Sequence, residues 1–308
     1  MSARRGATEL SGILAIAKPC GMTSHDVVNR VRRITGERRV GHAGTLDPMA
    51  TGLLVVLIGP ATRLASYLTA AQKSYDARIV FGVETDTDDA EGRPVRTASV
   101  PHEVTDPFAA AGIVSSLVGT HEQVPPSFSA IKRGGVTAYA AARKGVDLEL
   151  EARVIEVVEA RLLGVELDPP AWDVAFAVSK GTYIRALARD LGRSCDTAAH
   201  LGALARTRSG RLSLADAHTL EELEVAADVR DLFSDPIAVL GMPVLDATAQ
   251  QADAVRDGRP LDASVDDVET GSAIAVANDG RLIAIYASQG SAARPLTVIP
   301  GGVAGGTT

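Results

Sequence analysis

Gly41-His42-Ala43-Gly44-Thr45-Leu46-Asp47-Pro48-Met49-Ala50-Thr51-Gly52-Leu53-Leu54 is a loop that runs into a strand, and residue type sets both halves of it. Gly41, Gly44 and Gly52 allow turns that bulkier residues resist. Pro48 pushes Asp47 out of the helical region toward extended backbone. The apolar run 53–58 that follows predicts a buried strand anchoring the loop. A loop so constrained holds one carboxylate, Asp47, in a fixed pose, as a nucleophile requires. The same spacing also suits a glycine-rich turn in which Asp47 caps its own backbone. The rest of the chain decides between the two.

Around that strand the sequence supplies a sheet. Residues 75–83 alternate, with Tyr75, Ala77, Ile79, Phe81 and Val83 on one face and Asp76, Arg78, Val80 and Gly82 on the other. Strand-like runs follow at 153–158 and at 172–178, and an earlier one, Ile13-Leu14-Ala15-Ile16, ends at the turn Lys18-Pro19-Cys20-Gly21. Thr23 and Asp26 match a capping box opening a helix with Val27, Val31 and Ile34 on one face. Gly59-Pro60 predicts a turn into a helix that aligns Leu64, Leu68 and Ala71, and 107–118 reads as another. Thr182 is the expected N-cap of a helix whose apolar stripe is Ile184, Leu187, Ala188 and Leu191. That leaves Arg185 and Arg189 on an adjoining polar face. Two prolines bar 123–130 from being a central strand, and with 132–144 it forms a long basic excursion. From about 246 a helix near 247–257 and a hairpin over 273–286, turned at Asn278-Asp279-Gly280, predict a small separate piece. The glycine-rich tail 301–308 reads as disordered. Strands and helices interleave without strict βαβ alternation and without repeats. The predicted class is therefore α+β with a central, mainly antiparallel sheet.

Composition narrows the function. The chain has 308 residues and is 46% hydrophobic, enough for a packed core. No signal peptide is visible and the longest apolar run is far too short to span a bilayer, so a cytoplasmic protein without membrane attachment is expected. Cys20 and Cys195 show no metal-ligand spacing. The acidic run 85–92 fails as a calcium loop because Ala90 and Thr97 occupy ligand positions. No metal or cofactor is expected. The net charge of −7 is uneven: residues 1–63 carry nine basic side chains against four acids, 180–211 seven against two, and 223–308 five against twelve. Basic segments on an acidic chain suit a polyanion that binds one face.

Taken together, the motifs resemble the TruB-type tRNA pseudouridine synthases in their bacterial, actinobacterial-like form with a shortened C-terminal module. The resemblance rests on an ordered series: Lys18-Pro19-Cys20-Gly21-Met22-Thr23-Ser24-His25-Asp26, the 41–54 loop, Lys73-Ser74-Tyr75, the acidic 85–92 run, 123–132 with its Pro-Pro core, Ser179-Lys180-Gly181-Thr182-Tyr183-Ile184-Arg185, and His200-Leu201-Gly202-Ala203-Leu204-Ala205-Arg206-Thr207. Each motif alone is weak, whereas the set over roughly residues 10–245 is specific.

The resemblance implies a pseudouridine synthase fold: a catalytic domain over 1–245 with an RNA-gripping insertion at 123–150, a small TruB C-terminal or PUA-like domain at 246–300, and a tail at 301–308. It implies isomerisation of uridine 55 in the tRNA T-loop by base flipping, with tRNA as partner, no guide RNA, and a monomer. Asp47 matches the family's catalytic aspartate, Arg185 the arginine that pairs with it, and Tyr75 the active-site tyrosine. Tyr183 and Leu204 match residues lining the uracil pocket, and His42 one that holds the opened T-loop. Lys18, Lys132 and Arg206 are further expected substrate contacts. Sequence leaves open whether Asp47 attacks C1′, attacks C6 or deprotonates the 2′ carbon. In isolation Tyr75 and Leu204 would read as core and Arg185 as a surface helix residue. The alternative function is a T-loop-binding tRNA folding chaperone in which catalysis is secondary.

Overall fold

The computed structural model describes residues 8–306 other than 130, 134–135, 139–140, 142–145, 147 and 264. The chain divides into two compact units. One joins the residues up to Ala71 with those from Arg208 onward, and the other is Gln72–Thr207. Compactness therefore divides the chain at 71/72 and 207/208.

In the first unit, β1 (Gly12–Lys18) and β2 (Val40–His42) both pair antiparallel with β3 (Thr51–Ile58). β3 is buried from Gly52 to Ile58, as its apolar run predicts. The Ser24–Thr35 helix starts with the expected Thr23/Asp26 capping box and ends at Gly36, which adopts φ 68°. The helix expected after Gly59-Pro60 is instead a 3-10 turn, Gly59–Leu64, and a short α-helix, Ala65–Thr69. Thr62 Oγ1 donates to Gly59 O at 2.8 Å, occupying the carbonyl that a full α-turn would use.

The second unit is built on β4 (Lys73–Phe81), β5 (Val83–Thr85), β6 (Pro94–Thr97), β7 (Gly119–Gln123), β8 (Lys132–Arg133), β9 (Val136–Thr137), β10 (Arg153–Leu167), β11 (Pro170–Val178) and β12 (Ala199–Ser209). The sheet order here is β12-β4-β11-β10-β7, and β11 is antiparallel to both β4 and β10, as β10 is to β7. Tyr75, Ala77, Ile79 and Phe81 face the core as the alternation predicts. The strand breaks at Gly82 (φ 94°), and β5 leaves to pair with β6. Trp172 is fully buried, its ring edge-on to Phe81 at 4.7 Å and its Nε1–H donating to Val104 O at 2.7 Å. The predicted helix at 107–118 spans Pro107–Ser116, capped by Asp106. Residues 124–129 form no strand, as expected, and β8 pairs with β9 inside the basic excursion. Ala130, Arg143 and Lys144 lie outside the described residues.

The Ile184–Ser194 helix is capped by Tyr183, not by Thr182. There Gln123 Oε1 accepts the Tyr183 N–H at 2.9 Å while its Nε2 donates to Tyr183 O at 3.1 Å. This buried amide ties the N-cap backbone to β7, while the Tyr183 side chain makes no capping hydrogen bond.

After Arg208 the chain rejoins the first unit. β13 (Leu212–Ser213) pairs with the last two residues of β12. β14 (Val244–Asp246), β15 (Ala273–Asn278), β16 (Arg281–Ser288) and β17 (Ala293–Val303) make a four-stranded sheet with the Ala249–Arg256 helix beside it. The expected hairpin is present, turned through Asp279 and Gly280 with φ 49° and 70°. Leu282, Ile285, Ile299 and Val303 of this small sheet join Ile13, Leu53 and Leu57 in one hydrophobic core. The disordered tail is overturned for residues 301–306: 301–303 complete β17, Val303 is fully buried opposite Leu282, and Gly306 N–H donates to Phe233 O at 2.8 Å. A Cβ at Gly306 would lie 2.8 Å from Asp231 O, so that glycine marks close backbone approach. Thr307 and Thr308 lie outside the described residues.

Candidate active site

In the first unit the Asp47 loop is tied down on both sides. Ser24, buried in the first turn of its helix, donates its hydroxyl to Leu46 O at 3.0 Å and accepts the Leu46 N–H at 2.8 Å. Gly21 N–H donates to Pro48 O at 2.8 Å, and Ala50 N–H closes a turn onto Asp47 O at 3.1 Å. Gly44 and Gly52 flank the carboxylate at φ 109° and 98°. These values lie in the region that favours glycine.

Lys18, expected to touch substrate, is only 2% exposed. Its Nζ donates to Pro19 O at 2.9 Å, Met22 O at 2.6 Å and Pro48 O at 3.3 Å. An ammonium carries three donors, and here they bind the end of β1 to the residue after Asp47. Lys18 thus holds the loop's shape. His42 ends β2 opposite Val56 and is half-buried.

In the second unit Tyr75 lies on β4 opposite Phe176 and is buried. Arg206, on β12, donates from Nε to Tyr75 Oη at 3.3 Å, with its guanidinium 5.5 Å from the ring centroid. Arg206 is an expected substrate contact. It is buried because Tyr75 and the sheet cover it. Lys73, two residues before Tyr75, is buried as well. Burial first, then the charges of Arg206 and Lys180, lower its pKa to about 8. Leu204 lies buried on β12, and Tyr183 is half-buried where it caps the Ile184–Ser194 helix. Lys132 begins β8.

Arg185 is buried, contrary to the surface placement its sequence suggests in isolation. Its Nη1 donates to Thr87 O at 3.0 Å and lies 3.6 Å from Asp89 Oδ2, while Nη2 donates to Phe128 O at 3.0 Å. Asp89 is in turn braced, its Oδ1 accepting from Thr87 Oγ1 at 2.5 Å and from Glu91 N–H at 3.1 Å. The acidic loop that fails as a calcium site is therefore a scaffold for a guanidinium. Sequence reasoning singled out this loop but gave it no role. The signal was there, since two consecutive aspartates facing two arginines four residues apart on one helix predict a paired network. Among the described residues, no group of three or more His, Cys, Asp or Glu is placed to hold a metal ion.

Against known proteins, residues 32–184 match the family model described as TruB family pseudouridylate synthase (N terminal domain). Residues 185–237 match the tRNA pseudouridylate synthase B C-terminal domain, and 242–300 match tRNA pseudouridine synthase II, C terminal. The chain is 46% identical over 293 residues to the tRNA pseudouridine synthase B of Mycobacteroides abscessus, covering 94% of this chain and 96% of that protein. It is 43% identical to the protein of the same description from Arthrobacter sp. FB24, with 94% and 96% covered. Among solved structures it resembles a Cbf5-Nop10-Gar1 complex (TM-score 0.70, 24% identity, 94% of this chain and 84% of that one). It also resembles the archaeal box H/ACA sRNP Nop10-Cbf5 complex (TM-score 0.68, 22% identity, 94% and 86%). At such identity the likeness is one of fold.

Proposed function

The chain belongs to the TruB family of pseudouridylate synthases, and from that premise we propose that it isomerises uridine 55 in the T-loop of tRNA to pseudouridine. The single observation that carries the reading is the Asp47 carboxylate on a loop pinned by Ser24, Gly21 and Lys18, in a chain of this family. The reaction breaks N1–C1′, turns the uracil and rejoins it through C5. The C5 proton is lost and N1 gains one, so atoms balance without oxidant, nucleotide or cofactor. Asp47 is the proposed catalytic carboxylate, with Arg185 as its charge partner. A guanidinium held by Thr87 O, Phe128 O and Asp89 has little freedom to move and can orient a carboxylate at small entropic cost. Tyr75, held by Arg206, stacks on the extruded uracil, and Tyr183 and Leu204 line its pocket. His42 supports the opened loop. Extruding the base costs a few kcal/mol, offset by stacking worth about 1–3 kcal/mol and by phosphate contacts from the basic segments, Lys132 among them. The enzyme acts in the cytoplasm as a monomer without a guide RNA. No described helix is long and apolar enough to cross a membrane.

The test is release of tritium from tRNA labelled at C5 of uridine, with purified protein and no metal or nucleotide. Release that disappears in Asp47→Asn, and in a transcript lacking uridine 55, supports the isomerase. Tight tRNA binding without release replaces it with the folding-chaperone reading.

A further inference from the structure

One turn beyond Arg185 on the same helix, Arg189 repeats the same construction. Its Nη1 donates to Asp88 Oδ2 at 2.8 Å, its Nη2 to Val124 O at 2.9 Å and its Nε to Asp190 Oδ1 at 2.8 Å. Each arginine thus bridges the same two segments: Arg185 holds Thr87 and Phe128, Arg189 holds Asp88 and Val124. Asp88 is 6% exposed and adopts φ 61°, a left-handed conformation that Asp and Asn tolerate better than other side chains. Its own carbonyl accepts Leu201 N–H at 3.0 Å, so the residue is fixed by backbone as well as by charge.

We propose that Asp88 and Arg189 are a positioning pair for the isomerisation, holding the acidic loop and the 124–128 segment in the register that Arg185 requires. The inference rests on the function proposed above. Neither side chain is assigned a contact with uridine. They act through Arg185, whose two carbonyl acceptors lie one residue from Asp88 and four from Val124. A buried pair of this kind contributes little net stability but fixes a geometry, because either member alone is a costly buried charge.

The charged groups facing Asp88 are Arg189, Arg185 and Asp190 from the helix and Glu84 from β5. Asp89 is its neighbour on the loop, and the 124–128 segment presents backbone carbonyls. Burial pushes the Asp88 carboxyl up to about 6, against the pull of Arg189 and Arg185 and with a smaller push from Glu84 and Asp190. The pair needs the ionised carboxylate, so it weakens as pH falls through that value. The usual carboxylate stability dependence is reversed here. Between the unfolded value of 3.8 and about 6 the folded state binds more protons, so this group's contribution to stability falls as pH rises while its grip on Arg189 improves.

Asp88→Asn is the test variant, since it preserves shape and tolerates the backbone. Single-turnover tritium release, tRNA binding and amide hydrogen exchange are compared with wild type between pH 5 and 8. At pH 7.5 the variant is expected to be about tenfold slower at saturating enzyme, with tRNA affinity changed by less than about twofold. Its amides over 120–128 exchange faster. The wild-type rate falls from pH 7 to 5 with a midpoint near 6, and the variant is flat there, a difference that loss of fold alone does not produce. A variant rate within about twofold of wild type at pH 7.5, or an identical acid limb in both proteins, overturns the proposal. If Asp88→Asn does not fold, Arg189→Lys, which keeps charge but loses the fork, is expected to show the same slowing and faster exchange over 120–128 while retaining an acid limb. If wild type releases no tritium, the isomerase reading is what falls, and hydrogen exchange still decides whether the pair holds the two segments.

Discussion

Lys18 and Lys73 are both buried, and they meet the cost of burial differently. Lys18 gives its donors to the carbonyls of Pro19, Met22 and Pro48. Lys18→Met retains the stem and removes those donors. It is expected to destabilise the protein by roughly 3 kcal/mol and to lower kcat more than it raises KM, because Pro48 adjoins Asp47. Chemical denaturation and steady-state kinetics check this, and an unchanged kcat would place Lys18 outside the site. Lys73 has its pKa lowered from 10.5 to about 8 by burial and by Arg206 and Lys180. Between those values the unfolded chain binds the extra proton, so this lysine's contribution to stability grows as pH rises from 8 to 10.5. Urea unfolding at pH 8 and pH 10 should show that rise in wild type and its absence in Lys73→Met; equal slopes in the two would contradict the assignment.

Elements were legible where one strand or one helix turn carries its own reason for existing. β3 follows from an apolar run, β4 from alternation, the Ser24–Thr35 helix from a capping box, and the β15–β16 hairpin from Asn-Asp-Gly. Several of the misses depend on partners distant in sequence. Residues 199–209 carry His, Gly and Arg at positions where a local reading sees no strand, yet as β12 they lie beside β4 in the sheet. The backbone of the N-cap residue Tyr183 is held by Gln123, 60 residues away. The tail was misread because glycine composition does not distinguish freedom from close packing. That distinction is measurable. Val303→Ala is expected to cost about 2 kcal/mol through loss of a fully buried side chain opposite Leu282. A disordered tail would show no change in the denaturation midpoint. The site follows the same rule. Motif order singles out Asp47, Tyr75 and Arg185 as candidates, but the burial of Arg185 and Arg206 is hidden because their acceptors lie on other segments.

Across the whole chain, charge counted along the sequence overstates the basic surface available to RNA. Of the seven basic residues in 180–211, Arg185, Arg189 and Arg206 are buried, and Arg193 is paired with Glu84. Lys180, Arg208 and Arg211 remain exposed there, as do Arg33, Arg38, Arg39 and Arg63 in the early segment. Arg30 is matched by Glu224 at 2.5 Å. Exposed cations that neutralise phosphates release counterions, and each sets part of the slope of affinity against salt. Internal cations do not. Replacing Arg38 and Arg39 together by Ala should therefore weaken tRNA binding and reduce the slope of log affinity against log salt by about 0.7–0.9 per residue that meets a phosphate. Arg193→Gln should leave that slope unchanged, because its charge is already balanced within the protein, while lowering stability through the buried Glu84 it abandons. Filter binding of tRNA over a salt series separates the two. A slope that responds equally to both substitutions would mean that the Glu84 pair opens to admit the RNA backbone.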